Sequence, residues 1–177
     1  MNRTKILVGI FVVILLAGAG ALLWYRGFIG GDPKLLRSIK DKPELVALFD
    51  KAKVREGEIA KKPDDSGLYF SLGLAWKSIA ELSAVNQPIF FTRSLAVYEE
   101  GIRRFGQKNI LFYLNAGKLA ERIQDYAKAE RYYQKAIEIS PADETGYLDL
   151  VDLYYYQLHK PEADILPIFD KGLKAMM

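Results

Sequence analysis

The sequence predicts an all-α protein: an N-terminal transmembrane helix followed by a short solenoid of about three stacked helix pairs, with one capping helix before them. Three observations carry this. Ile6 to Tyr25 contains no charged residue and is almost wholly apolar. Over Asn109–Glu144, large and small residues fall at fixed helical places: Tyr113, Ala116, Gly117 and Ala120, then Ala129, Tyr133 and Ala136, then Pro141. Related series precede and follow that stretch. One such helix pair cannot bury its own apolar face, so it must stack on neighbours.

Residues 1–5 form a basic tail, with Arg3 and Lys5. Residues 6–25 suit a membrane span, because about twenty apolar residues cross the roughly 30 Å hydrocarbon core. Trp24, Tyr25 and Arg26 fit an interfacial belt with a snorkelling cation. A cleaved signal peptide is the alternative, since Ala17-Gly18-Ala19 and Ala19-Gly20-Ala21 resemble cleavage sites. The apolar run continues through Leu22-Leu23-Trp24-Tyr25, which favours an uncleaved anchor. There is no Cys, so a lipoprotein anchor is excluded and the compartment is left open. For orientation, a count over the near loops places the carboxyl side in the cytoplasm, whereas the short basic tail resembles a bacterial signal anchor. The reading adopted is tail inside and repeats outside: a single-pass protein of the bacterial inner membrane with its repeats on the periplasmic side.

Residues 26–42 form a juxtamembrane linker, with a flexible exit over Gly27–Pro33 and a short helix over Lys34–Lys40. Asp41 and Pro43 then mark a helix start. Leu45, Leu48, Phe49, Ala52 and Ile59 recur at helical spacing, so 43–62 is the capping helix.

Residues 66–177 carry the repeats. Tyr69, Leu72, Gly73 and Trp76 match the places of Tyr113, Ala116, Gly117 and Ala120. Ser94, Tyr98 and Gly101 then match Ala129, Tyr133 and Ala136, after a loop around Val85–Thr92 that is about nine residues longer. After Glu144, Tyr147, Leu150, Val151 and Tyr154 repeat the first-helix series. Ile165, Phe169 and Gly172 repeat the second, with Pro167 in that helix's first turn. The pattern resembles the tetratricopeptide repeat (TPR) family, with units at about 66–109, 110–143 and 144–177. Tyr69, Leu72, Gly73 and Trp76 lie close to its W-x2-L-G-x2-Y core.

Little in the chain points to catalysis. The one His, His159, lies in the turn Gln157–Glu162, where a solvated residue is expected. Without a His or Lys partner no nucleophile–base pair can be drawn. Asp149 and Asp152 share a helix face, but two carboxylates are a poor metal site. Gly27–Gly31 lacks the Lys-Ser/Thr of a phosphate loop. No catalytic residue, metal or cofactor is therefore expected. Arg26–Lys62 holds 10 basic and 6 acidic residues, net +4, whereas Pro63–Met177 holds 13 basic and 16 acidic, net −3. The basic collar suits either anionic lipid head groups or a plain solvated face. The basic residues are too dispersed for nucleic acid.

The resemblance implies that the first helix of each pair lines a groove. By position these are Phe70, Leu74 and Lys77, then Leu111, Leu114, Asn115, Lys118 and Arg122, then Leu148, Asp149, Asp152 and Tyr155. The implied groove has an apolar floor, a basic middle and an acidic end, unless the 43–61 helix covers Phe70, Leu74 and Leu111. It suits an amphipathic helix or an extended peptide. Adaptors of this family that grip a terminal carboxylate use Lys, Asn and Arg at places held here by Phe70, Leu74, Asn115, Thr145 and Asp149. Only Asn115 agrees, so that mode is not expected. Leu166, Phe169, Leu173 and Met176 on the last helix cannot all be buried against one neighbour and form a candidate docking end. The expected function is a membrane-anchored scaffold or adaptor that binds other proteins, in an envelope assembly, secretion or motility complex. The alternative is an architectural subunit that forms homo- or hetero-oligomers through the last helix.

Overall fold

The computed structural model describes residues 33–84, 86–106 and 109–177. By its contacts the chain divides into two compact units, Met1–Arg37 and Ser38–Met177. The predicted tail, the transmembrane helix over 6–25 and the start of the linker lie outside the described residues. Among the described residues no helix is long and apolar enough to cross a membrane. Helix α1 spans Pro33–Ile39, close to the short helix expected over Lys34–Lys40.

Helix α2 spans Pro43–Lys61 and opens on a proline, whose missing N–H costs nothing in a first turn. Leu45, Phe49, Ala52, Glu56 and Ile59 are its buried residues, three or four apart on one stripe. The stripe seats α2 on the next helix, with Phe49 edge-on to Trp76 at 5.5 Å between ring centroids.

Three antiparallel pairs follow. They are α3 (Ser66–Leu82) with α4 (Gln87–Phe105), α5 (Ile110–Arg122) with α6 (Tyr126–Ile139), and α7 (Glu144–Asp152) with α8 (Glu162–Met176). The first helix of each pair opens on an acidic or amide side chain. Asp65 accepts from the Gly67 amide at 3.0 Å, Asn109 from Leu111 at 3.0 Å, and Asp143 from Thr145 at 2.9 Å. Each such cap is worth about 1 kcal/mol.

Within the first two pairs, a glycine admits a tyrosine ring. A Cβ on Gly73 would lie 2.5 Å from the Tyr98 ring, and one on Gly117 would come closer still to Tyr133. Both rings are fully buried. Between the first and second pairs, Phe112 meets Phe70, Tyr98 and Phe105 at centroid distances of 6.2, 6.1 and 6.2 Å. Between the second and third, Leu114, Tyr133, Ile137, Tyr147, Leu150 and Leu153 share one apolar cluster.

The structure departs from the sequence reading in three places. The long loop expected around Val85–Thr92 is absent: α3 runs to Leu82 and α4 begins at Gln87. The additional residues lengthen the helices, to 17 and 19 residues against 13 and 14 in the second pair. Pro88 starts α4 rather than breaking it, and Phe90 stacks on Trp76 at 6.1 Å. Second, Phe169 does not take the place of Tyr98 and Tyr133. It is exposed, while Ile168 lies against the core. Val151 stands where Gly73 and Gly117 open the way for a ring; in the third pair the close approach is instead that of Gly172 on α8 to the Tyr147 ring of α7. Third, α8 begins at Glu162, so Pro167 lies inside the helix rather than in its first turn. One further feature had no sequence signal. α7 continues as a π-helical turn, Leu153–Gln157, closed by the Leu158 amide donating to the Leu153 carbonyl at 3.0 Å.

Candidate partner-binding surface

Helices α3, α5 and α7 stand side by side. Phe70 of α3 meets Phe112 of α5, and Lys118 of α5 reaches Asp149 of α7 at 3.3 Å. The predicted groove residues lie on these helices, but they divide into two sets. Leu114 is a correction: it is 5% exposed and belongs to the core between the second and third pairs. Phe70 is half-buried, its ring edge-on to Tyr98 and Phe112. Both lean toward the side that meets the next pair. Leu74, Leu111, Leu148 and Tyr155 remain accessible, at 39%, 48%, 45% and 60% exposed. Leu148 occupies the place of Phe70 and Leu114 in the third pair.

Two clefts open on these helices. One, of about 540 Å³, is lined by Lys77, Lys118, Leu119, Glu121, Arg122, Gln124, Tyr126 and Gln157. It gathers three predicted residues, Lys77, Lys118 and Arg122, from α3 and α5. The other, of about 470 Å³, lies between α2 and α3, with Val54 and Leu74 as its apolar lining and Asp50, Lys51 and Arg55 at its edge. Here α2 walls the groove rather than covering it.

The charges are not segregated as the sequence suggested. Lys118 is paired with Asp149, and Lys77 lies 3.6 Å from Glu81. Arg122 is exposed and makes no ion pair among the described residues. Glu121 accepts a short hydrogen bond from the Tyr133 hydroxyl. Burial, foremost, lifts the Glu121 carboxyl above its ordinary range; the Tyr133 bond opposes this, and the charges of Asp149 and Asp152 add to it. Asp149 is raised as well, again chiefly by burial, with Lys118 opposing. The Asn115 amide donates to the Leu111 carbonyl of its own helix at 2.8 Å. The single residue that agreed with a carboxylate-gripping site is thus engaged within its own helix.

Sequence reasoning missed Glu121, Gln124, Tyr126 and Gln157. Gln124 has a left-handed backbone, φ 63°, in the turn between α5 and α6. That turn brings Tyr126 beneath the cleft, where its hydroxyl donates to Gln157 Oε1 at 3.2 Å. Gln157 reaches this place because the π-helical turn re-registers the end of α7. No local pattern encodes that meeting. Glu121 was findable, since it lies three residues after Lys118 on the same helix. Of the predicted docking residues, Leu166, Phe169 and Leu173 are exposed on α8. The side chain of Met176 lies outside the described residues. Among the described residues, no group of three or more His, Cys, Asp or Glu is arranged to hold a metal ion.

Residues 111–143 match the family profile described as Tetratricopeptide repeat. The span is that of the second pair, from the start of α5 to the cap of α7. No curated protein matches the chain. Among solved structures, one named MamA MSR-1 C2 superposes with a TM-score of 0.55 at 16% identity, covering 73% of this chain and 67% of that one. The likeness is one of fold. Over residues 111–143 the chain thus carries a tetratricopeptide repeat signature, set within an all-α, TPR-like stack of helix pairs.

Proposed function

We propose that this protein is a membrane-anchored scaffold that binds partner proteins through the face of α3, α5 and α7. A TPR stack is a protein-interaction fold, and the observation that carries the finer reading is the pattern of exposure on that face. Leu74 and Leu111 stay open to solvent although their helical neighbours are fully packed. Beside them lies the cleft edged by Lys77 and Arg122. Open apolar side chains next to a charged rim suit an amphipathic helix or an extended segment with apolar anchors. The apolar run Ile6–Tyr25 supplies the anchor. Its basic tail favours repeats held outside the cytoplasmic membrane, where an envelope, secretion or motility assembly would be the setting. A photo-crosslinker placed at Leu111 or Arg122 in the native membrane should capture defined partners. Capture only from a control position on the opposite face, such as Lys135, would remove the groove from consideration.

A second reading rests on α8. Leu166, Phe169 and Leu173 project from one side of it. An apolar side of this kind suits an architectural subunit that assembles through its third pair. Leu173→Asp should then reduce self-association in ultracentrifugation, and an unchanged sedimentation profile would dismiss this reading.

A further inference from the structure

Helix α2 carries a charged side chain in the middle of the apolar stripe that seats it. Glu56 lies on that stripe between Ala52 and Ile59, and its side chain is 3% exposed. Lys53, one turn earlier, reaches Glu56 Oε2 at 2.5 Å. Among the described residues, Glu56 Oε1 has no hydrogen-bond partner. On α4, the guanidinium of Arg93 lies 5.1 Å from the centroid of the Trp76 ring, and its buried Nη1 is likewise unpartnered. Trp76 Nε1, on α3, is a third such atom. Trp76 touches α2 through Phe49 and α4 through Phe90 and Arg93. The junction of α2 with the first pair therefore buries a carboxylate oxygen and two donors that no described residue pairs. Buried polar groups left in this way weaken the interface that holds them.

We propose that α2 is a releasable cap, seated on the first pair when Glu56 carries a proton and loosened when Glu56 is ionised. Two features make release local. The turn Lys62–Asp65 is the whole connection from α2 to α3. The N-cap residue, Lys42, makes no side-chain cap bond, so α2 is held mainly by its stripe. Release bares the Trp76 edge that Phe49 covers. The charged groups acting on Glu56 are Lys53 from α2 and Arg93 from α4; α3 adds none. Burial is the largest influence and pushes the carboxyl above its ordinary value of 4.5, with the Lys53 bond and the two positive charges opposing it. The seated state thus binds the proton more tightly than the released state, in which Glu56 meets water. The hold of the cap is fully present below the ordinary carboxylate pKa and declines as pH rises through the raised one.

Hydrogen exchange of the whole 177-residue chain in detergent, read by mass spectrometry from about pH 4.5 to pH 8 and corrected for intrinsic rates, tests this. Protection of the α2 amides should fall with rising pH, by up to about tenfold for each pH unit separating the seated and released pKa values. The amides of α5 and α6 serve as the internal reference and should change less. Glu56→Gln should remove the fall and leave α2 as protected at pH 8 as the parent is at pH 4.5. Glu56→Met makes the same test should the Gln variant not fold. A flat or rising profile in the parent, or the same fall in both the parent and the neutral variants, would overturn the proposal.

Discussion

Gly117→Ala and Gly57→Ala make the same chemical change with opposite expected signs. In a helix interior, replacing Gly by Ala gains about 0.5–1 kcal/mol from backbone entropy alone. At Gly57, in α2, a new Cβ meets nothing within 4 Å, so that gain should stand. At Gly117 the Cβ would overlap the Tyr133 ring along three of its carbon atoms. That ring cannot step aside. It is fully buried, and its hydroxyl is tied to Glu121. Overpacking of this kind typically costs about 1–3 kcal/mol, and a fixed ring places Gly117 in the upper part of that range. Net of the entropy gain, Gly117→Ala should destabilise by about 1–2 kcal/mol. For a chain of this size that lowers the melting temperature by roughly 2–8 °C, while Gly57→Ala raises it by up to about 4 °C. Thermal melts followed by circular dichroism measure both. A Gly117→Ala chain that melts at or above the parent would mean that the ring is not seated against α5, and the glycine–tyrosine account of pair packing would be withdrawn.

Leu111→Glu should leave the melt unchanged and abolish partner capture, whereas Leu114→Glu should unfold the second and third pairs; equal effects of the two on stability would contradict their assignment to surface and core. Tyr133→Phe removes a bond that favours the ionised Glu121 carboxyl, so the destabilisation should be about 1–2 kcal/mol near neutral pH and smaller toward pH 4, as Glu121 takes up its proton. Urea melts at the two pH values would show a pH-independent loss if the bond does not act through that carboxyl. A reporter that matures only outside the cytoplasm, fused after Met177, should be active; activity of a cytoplasm-only reporter instead would reverse the proposed orientation.

The helices themselves were legible because their signals are local. Pro43, Leu45, Phe49, Ala52 and Ile59 announce α2 within one stretch; the helix spans Pro43–Lys61, against 43–62 from the sequence. Gly73, Tyr98, Gly117 and Tyr133 announce two pairs because each glycine and each ring keeps its place within its own helix pattern. The third pair was read by the same template and misaligned: Val151 stands in the glycine's place, Phe169 is exposed, and the close approach is that of Gly172 to the Tyr147 ring. The long loop was inferred by counting residues against the second pair. Counting cannot distinguish a longer loop from longer helices; Pro88 at the start of α4 and Phe90, stacked on Trp76 of α3, decide for helices.

The binding face was legible only as far as helix identity reaches. Knowing that α3, α5 and α7 line the face does not say which side chains are open. That depends on a rotation of about 100° per residue, and it separates exposed Leu111 from buried Leu114 within one turn. Charge fared no better. Lys118 and Asp149 are 31 residues apart in sequence, and reading them as a basic middle and an acidic end ignored that α5 and α7 bring them to 3.3 Å. Once they are paired, Arg122 is the cation on this face left open to a partner among the groove residues described. Selectivity should therefore follow Arg122 more than Lys118. Arg122→Glu reverses an exposed, unpaired charge at little cost to the fold, and should weaken binding in a salt-dependent way. Lys118→Met strands Asp149, which is half-buried and already raised, and should appear in stability before it appears in binding. A Lys118→Met chain that keeps its melting temperature but loses its partner would invert this order and return the basic middle of the groove to the contact surface.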